Sequence, residues 1–103
     1  MSIKKTFLKT KSICKVAFKV SASEANGAKT IQILGDFNDW DQTVEPMKAL
    51  KSGDFTQIIE LESGKEYQMR YFIDGNSWAN DVEADLQLDN EFGEKNDVIS
   101  TFN

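Results

Sequence analysis

Residues 66–78 read EYQMRYFIDGNSW, and this stretch carries the pattern that decides the fold. Side chains over residues 66–73 alternate between two faces, which is the two-residue period of a β-strand. One face carries Tyr67, Met69, Tyr71 and Ile73, and the other carries Glu66, Gln68, Arg70 and Phe72. The Asp74-Gly75 pair accepts positive φ angles at little cost, so it predicts a tight reversal and a β-hairpin.

Short runs of the same kind lie on both sides of this hairpin. They cover residues 13–20, 30–34, 55–61 and 97–102. Glycines at positions 27, 35, 53, 64, 75 and 93 each fall in a turn-forming context between or beside these runs. No window sustains the 3.6-residue period of an amphipathic helix. Regular turns between short strands predict an all-β sandwich or barrel.

The size of the chain fits one domain. It has 103 residues and a mass of 11.6 kDa, with 40% hydrophobic and 28% charged residues, as in ordinary globular domains. Six of the 12 basic residues lie in the first 19, and eight acidic residues lie between positions 74 and 97. We interpret these ends as a polar tail and a solvated loop. The predicted division is a basic N-terminal segment, 1–11, followed by a β-sandwich domain, 12–103.

Charge and composition exclude several classes of function. With 17 acidic against 12 basic residues, the net charge is −5, which opposes binding of nucleic acid phosphates. The chain has no His, so imidazole-based triads and most zinc sites are excluded. Nearly every Asp and Glu falls in a predicted turn, where no cleft would raise a carboxyl pKa for catalysis. We therefore expect no enzyme and no catalytic residues.

The acidic spacing after residue 80 resembles a calcium loop, but two positions are wrong. Leu86 stands where an EF-hand needs Gly, and Phe92 stands where it needs a bidentate Glu. Alternation over residues 82–88 explains the same spacing as an edge strand. Cys14 lies on the apolar face of its strand and has no cysteine partner, so we expect it to serve packing. The sequence predicts no metal and no cofactor.

The N-terminal region resembles neither a membrane span nor a signal peptide. No stretch approaches about 18 apolar residues, and Lys15 and Lys19 interrupt the apolar run after the basic start. The sequence contains no Asn-x-Ser/Thr site. We expect a cytoplasmic protein with no membrane partner.

The two tryptophans lie in polar surroundings. Trp40 belongs to the turn-rich stretch 35–41, GDFNDWD, and Trp78 lies among Asn, Ser and Asp residues. Sugar rings stack their apolar C–H faces on aromatic rings and offer their hydroxyls to planar polar groups, so this composition suits sugar recognition. The alternative is that each ring closes one end of the core, with its N–H bonded to a carbonyl.

Hairpin register distinguishes these alternatives for Trp78. A two-residue loop would pair it with Tyr71 on the core face, whereas a three-residue loop would pair it with Phe72 on the face of Arg70. Because a one-residue slip moves a side chain to the opposite face, the register decides between core and ligand platform.

These motifs resemble a known family. Residues 35–41, Pro46-Met47, residues 64–75, Trp78, Asn80-Asp81, Phe92-Gly93 and Asn96 look like a family 48 carbohydrate-binding module. This is the isoamylase N-terminal, early-set type of immunoglobulin-like domain, and the chain is similar to the glycogen-binding domain of the AMP-activated kinase β subunit. The match runs from about Lys15 to Phe102. It implies an immunoglobulin-like β-sandwich of about seven to eight antiparallel strands.

The resemblance also implies a site. By motif position, Trp40 and Trp78 match a stacking pair, Arg70 matches a basic residue that is Lys in the kinase domain, and Asn96 and Phe92 match further sugar contacts. Arg in place of Lys keeps the positive charge but presents it on a planar guanidinium with several N–H donors. The turn from Gly75 to Trp78 is one residue longer than in the kinase domain, which favours the three-residue register.

The resulting prediction is non-catalytic binding of an α-1,4-linked glucan, as oligosaccharide or polysaccharide. The alternative is a protein-interaction module of the same fold without a working sugar site. Because sandwich edges can pair with a partner's strand, a separate glucan-metabolising enzyme or another protein is a candidate partner.

Overall fold

The segments whose side chains alternate between two faces form strands in the computed structural model, which describes residues 1–102. Two short helical turns interrupt them, α1 (Ala22–Ala25) and a 3₁₀ turn (Asp36–Asn38). The strands of the described residues are β1 (Ser2–Phe7), β2 (Ile13–Val20), β3 (Ile31–Gly35), β4 (Lys48–Ala49), β5 (Phe55–Glu62), β6 (Glu66–Ile73), β7 (Ser77–Ala79), β8 (Leu86–Asp89) and β9 (Lys95–Ser100).

The strands form two antiparallel sheets. The first sheet has the order β1-β2-β5-β4. The second has the order β3-β6-β9-β8, with β7 paired to β6. The predicted all-β sandwich is confirmed. The nine strands of the described residues outnumber the seven or eight that the resemblance implied, and one of them, β1, lies in the predicted N-terminal segment.

The core lies between the sheets and follows the predicted alternation. From the first sheet, β2 buries Cys14, Val16, Phe18 and Val20. From the second, β6 buries Met69 and Tyr71 on the face predicted to be apolar. The rings of Phe18 and Tyr71 meet edge to face at 6.4 Å. The other face of β6, with Gln68 and Arg70, therefore points away from the core.

The first residues of the chain are not a polar tail. β1 pairs with β2 along its whole length, and Ile3 and Phe7 pack against the core. Lys5 reaches across to Asp85, with 2.7 Å between Nζ and Oδ2. The polar-tail interpretation is therefore wrong over residues 2–7, because this basic segment pairs with β2 and its Ile3 and Phe7 side chains pack against the core. The boundary at residue 12 stays a prediction.

The acidic region is also more structured than a solvated loop. It contributes β7, β8 and part of β9, and it buries the carboxyl groups of Asp81 and Asp97. The edge strand predicted over 82–88 begins only at Leu86, because Asp81 holds a turn by accepting the backbone N–H of Glu83. Within residues 1–102, no group of three or more His, Cys, Asp or Glu could hold a metal ion.

A buried polar network links β6, the turn at Asp81 and β9. The Tyr71 hydroxyl donates to Asp81 Oδ2 at 2.6 Å, and the Asp81 backbone N–H donates to Asp97 Oδ2 at 2.7 Å. Gln87 Nε2 donates to the other Asp97 oxygen at 2.8 Å. Burial raises the pKa of Asp97, and burial together with the bond to Asp81 raises the pKa of Tyr71. The network therefore satisfies polar groups that the sandwich has removed from water.

We expect Tyr71→Phe to lower the free energy of unfolding by about 1–3 kcal/mol, because it deprives the buried Asp81 carboxyl group of a donor. Urea denaturation measures the loss. Tyr67→Phe is the matched control, since its hydroxyl bonds to the exposed Glu62 carbonyl and should matter less. Equal losses in the two variants would contradict a special role for the buried bond.

In the part of the chain that the structure describes, no helix has the length and apolar character needed to cross a membrane.

Candidate functional site

A groove of about 790 Å³ opens on the face of the second sheet that points away from the core. Aromatic and polar side chains surround it from β6, β7, the 3₁₀ turn and the reversal after it, the loop before β9, and the start of β9. The lining residues are Asp36, Trp40, Gln68, Arg70, Trp78, Asn90, Glu91, Phe92, Glu94 and Asn96. All five side chains predicted as contacts, Trp40, Trp78, Arg70, Asn96 and Phe92, are among them.

Trp40 reaches the groove because the chain reverses tightly after β3. Asp39 and Trp40 both have positive φ angles, 57° and 56°, and the Trp40 backbone N–H returns to the Gly35 carbonyl at 3.0 Å. The indole Nε1 donates to Asp36 Oδ1 at 3.3 Å. A left-handed conformation is unusual for a bulky residue, so the turn holds Trp40 in a conformation that local preference disfavours.

Trp78 lies on the outer face because the hairpin has a three-residue loop. Phe72 pairs with Trp78, and Ile73 pairs with Ser77. The Trp78 ring packs on Phe72 with centroids 4.4 Å apart and meets the Trp40 ring at 6.4 Å with planes inclined by 63°. The register favoured by the longer turn is confirmed, and the alternative that places Trp78 in the core is wrong.

Asp74 anchors this loop to the two residues that precede β3. Its Oδ1 accepts the backbone N–H groups of Lys29 and Thr30 at 2.8 and 2.9 Å. These bonds, that from Thr30 most strongly, lower the pKa of Asp74. Asp74 also has a positive φ of 51°, which Asp and Asn tolerate better than most residues. The carboxylate therefore helps to set the loop that carries Trp78.

The lowered pKa of Asp74 predicts a stability loss in acid. Because the unfolded chain binds this proton more tightly, its contribution is present above a pKa of about 3.8 and lost as the pH falls through the lower folded value. We expect Asp74→Asn, which keeps an acceptor and tolerates the backbone angle, to show a shallower decline in acid than wild type. Chemical denaturation between about pH 2 and 6 measures this. Parallel curves would contradict the assignment.

Arg70 lies at the base of the groove. It is 7% exposed, and its guanidinium carbon is 5.0 Å from the centroid of Trp78. One terminal nitrogen contacts Glu94 Oε2 at 3.3 Å. Its buried Nε has no hydrogen-bond partner within residues 1–102. Because buried donors are normally paired, this nitrogen is an exception among the buried polar atoms of the described residues.

Amide side chains continue the polar floor beside Arg70. Asn96 Nδ2 donates to Gln68 Oε1 at 3.0 Å, and Asn90 Nδ2 donates to Asn96 Oδ1 at 3.1 Å. Phe92 stands at the rim with 78% of its surface exposed. Such a surface offers apolar ring faces and fixed planar hydrogen-bonding groups side by side.

The groove lies in a part of the chain that matches a known protein family. A family model described as the glycogen recognition site of AMP-activated protein kinase matches residues 21–102. The chain belongs to this family. The matched range contains every residue that lines the groove. No curated protein compared with the chain matches it.

Five of the ten residues that line the groove of this glycogen-recognition domain were not predicted from the sequence. Gln68 had a signal, because alternation places it on the Arg70 face of β6. Asp36 and Glu94 had none, because their roles depend on contacts with the Trp40 indole and with Arg70. Asn90 and Glu91 also lie in the loop before β9, whose path local pattern does not specify.

Proposed function

We propose that this chain binds α-1,4-linked glucan, such as glycogen, starch or a maltooligosaccharide, without acting on it chemically. The observation that carries the proposal is the groove itself. It brings together all five side chains nominated from the sequence, on a domain of the glycogen-recognition family. We further propose that the domain works in the cytoplasm, which rests on composition alone.

Each side chain has a distinct role in this proposal. Trp40 and Trp78 would stack on the apolar faces of glucose units, and Phe92 would pack against the chain at the rim. Arg70 and Asn96 would donate hydrogen bonds to hydroxyl groups. The proposed site requires no metal or cofactor.

Binding should be weak, because the groove is open and its hydrogen bonds compete with water. We expect a Kd of about 10 μM to 1 mM, equivalent to about 4–7 kcal/mol. Titration with maltoheptaose and β-cyclodextrin, followed by tryptophan fluorescence and calorimetry, measures it. Cellohexaose, with β-1,4 linkages, is the control and should bind more weakly. If neither α-glucan binds at about 10 mM, a Kd that corresponds to a binding free energy of about −3 kcal/mol, the proposal is refuted.

The second candidate function is a docking module for a separate glucan-metabolising enzyme or another protein. The observation that favours it is β8, which ends the second sheet with Leu86 and Leu88 exposed by 44% and 45%. An edge strand with apolar side chains can accept a partner's strand. A folded chain that binds no glucan would favour this function.

A further inference from the structure

We propose that the groove selects uncharged glucan chains and discriminates against anionic ones, such as phosphorylated or carboxylated glucans, and that Glu94 sets this selectivity. The inference rests on the proposed function, since it names the substrate class of the same groove. It follows from the charges of the lining residues and from how Arg70 is engaged.

The groove is electronegative although it contains Arg70. Among its described lining residues, Asp36, Glu91 and Glu94 carry carboxylates and Arg70 alone is basic, which leaves a net charge of −2. Both Asp36 oxygens are engaged in the wall, one by the Trp40 indole at 3.3 Å and the other by the Gln68 backbone N–H at 2.8 Å. That negative charge is therefore held in the groove and adds to the net −5 of the whole chain.

Arg70 is the group that could attract an anion, and Glu94 already occupies it. The contact of 3.3 Å joins a guanidinium that is almost fully buried to a carboxylate that is more than half exposed. Strong recognition of phosphate or carboxylate by arginine uses two parallel N–H donors. An anionic ligand would have to displace Glu94 to obtain them, and it would leave that carboxylate unpaired beside the ligand.

A neutral hydroxyl group faces no such competition. A guanidinium carries five N–H donors, and Glu94 engages one terminal nitrogen of Arg70, so the group can donate a hydrogen bond to a hydroxyl oxygen while that ion pair stays intact. The ion pair with Glu94 therefore leaves Arg70 able to donate to a sugar hydroxyl, but it neutralises the positive charge that would attract an anion.

Three size-matched ligands test this directly. They are maltoheptaose, maltoheptaose with its 6-hydroxymethyl groups oxidised to carboxylates, and the corresponding 6-amino form. The two charged forms both lack the 6-hydroxyl and carry opposite charges, so comparing each of them with maltoheptaose separates the sign of the charge from the loss of that hydroxyl. We expect the carboxylate form to bind at least about tenfold more weakly than both maltoheptaose and the amino form, equivalent to about 1.4 kcal/mol. Raising NaCl from about 20 to about 500 mM should narrow the gap through screening.

Glu94→Gln identifies the residue responsible. Removing its charge should bring the Kd ratio of carboxylate to amino form at least about threefold closer to one. Glu60→Gln is the matched control, because it makes the same charge change on β5, in the other sheet. It should leave the ratio as in wild type.

The outcomes separate the two proposals. If none of the three ligands binds, the proposed function fails and the inference falls with it. If maltoheptaose binds but the carboxylate form binds as tightly as maltoheptaose or the amino form, the groove is a glucan site and the charge selectivity is wrong. If the ratio changes equally in Glu94→Gln and Glu60→Gln, net charge determines selectivity and Glu94 does not.

Discussion

Trp40→Ala should weaken maltoheptaose binding by about 30-fold, or about 2 kcal/mol, while the domain stays folded. The indole lies at the groove, where it donates a hydrogen bond to Asp36 and makes an edge contact with Trp78. Covering about 80 Å² of apolar ring surface with a glucose face is worth about this much. Calorimetry measures the affinity, and thermal unfolding measures the stability.

Three variants make this result specific. Trp40→Phe keeps a smaller ring and should lose less affinity than Trp40→Ala. Phe102→Ala removes an exposed aromatic side chain that does not line the groove, so it should leave affinity unchanged. Trp78→Ala should lose both affinity and stability, because its ring also covers Phe72 at 4.4 Å. A Trp40→Ala protein that unfolds would show that the ring supports the core, and one that binds normally would refute the stacking role.

Gly35→Ala should cost about 3 kcal/mol of stability, because there is no room for a side chain at the end of β3. A Cβ at this position would lie 2.5 Å from the Gln68 carbonyl oxygen and 2.9 Å from the Met69 Cβ. Its φ of −173° is ordinary extended backbone, so crowding is the whole cause. Since the Trp40 N–H bonds to the Gly35 carbonyl, relief of the clash should also displace Trp40 and weaken glucan binding.

Gly27→Ala is the matched control for Gly35→Ala. Its φ is +81° and a Cβ there would contact nothing within 4 Å, so the cost should be only the roughly 1–2 kcal/mol of a left-handed alanine. Glucan affinity should remain that of wild type. Urea denaturation and a maltoheptaose titration of both variants measure the difference. Equal stability losses, or an unchanged affinity in Gly35→Ala, would contradict the proposed link between close packing and Trp40.

Prediction from the sequence succeeded where a pattern is local. The two faces of β6 follow from alternation, and the extra residue before Trp78 favoured the register that places this ring beside Arg70. Prediction failed where neighbours override composition. Acidic residues are usually solvated, yet Asp81 and Asp97 are buried because Tyr71, Gln87 and a backbone N–H provide them with donors.

By itself, the sequence predicted the β-sandwich, and the family resemblance carried by its motifs nominated the five side chains of the proposed site. These features depend on side-chain period, turn residues and motif order, all of which are read along the chain. Only the tertiary structure decided that the two tryptophans touch and that Glu94 engages Arg70 across 24 residues. The pairing of β6 with β3, β7 and β9 brings these distant segments together, and the charge of the groove emerges only there.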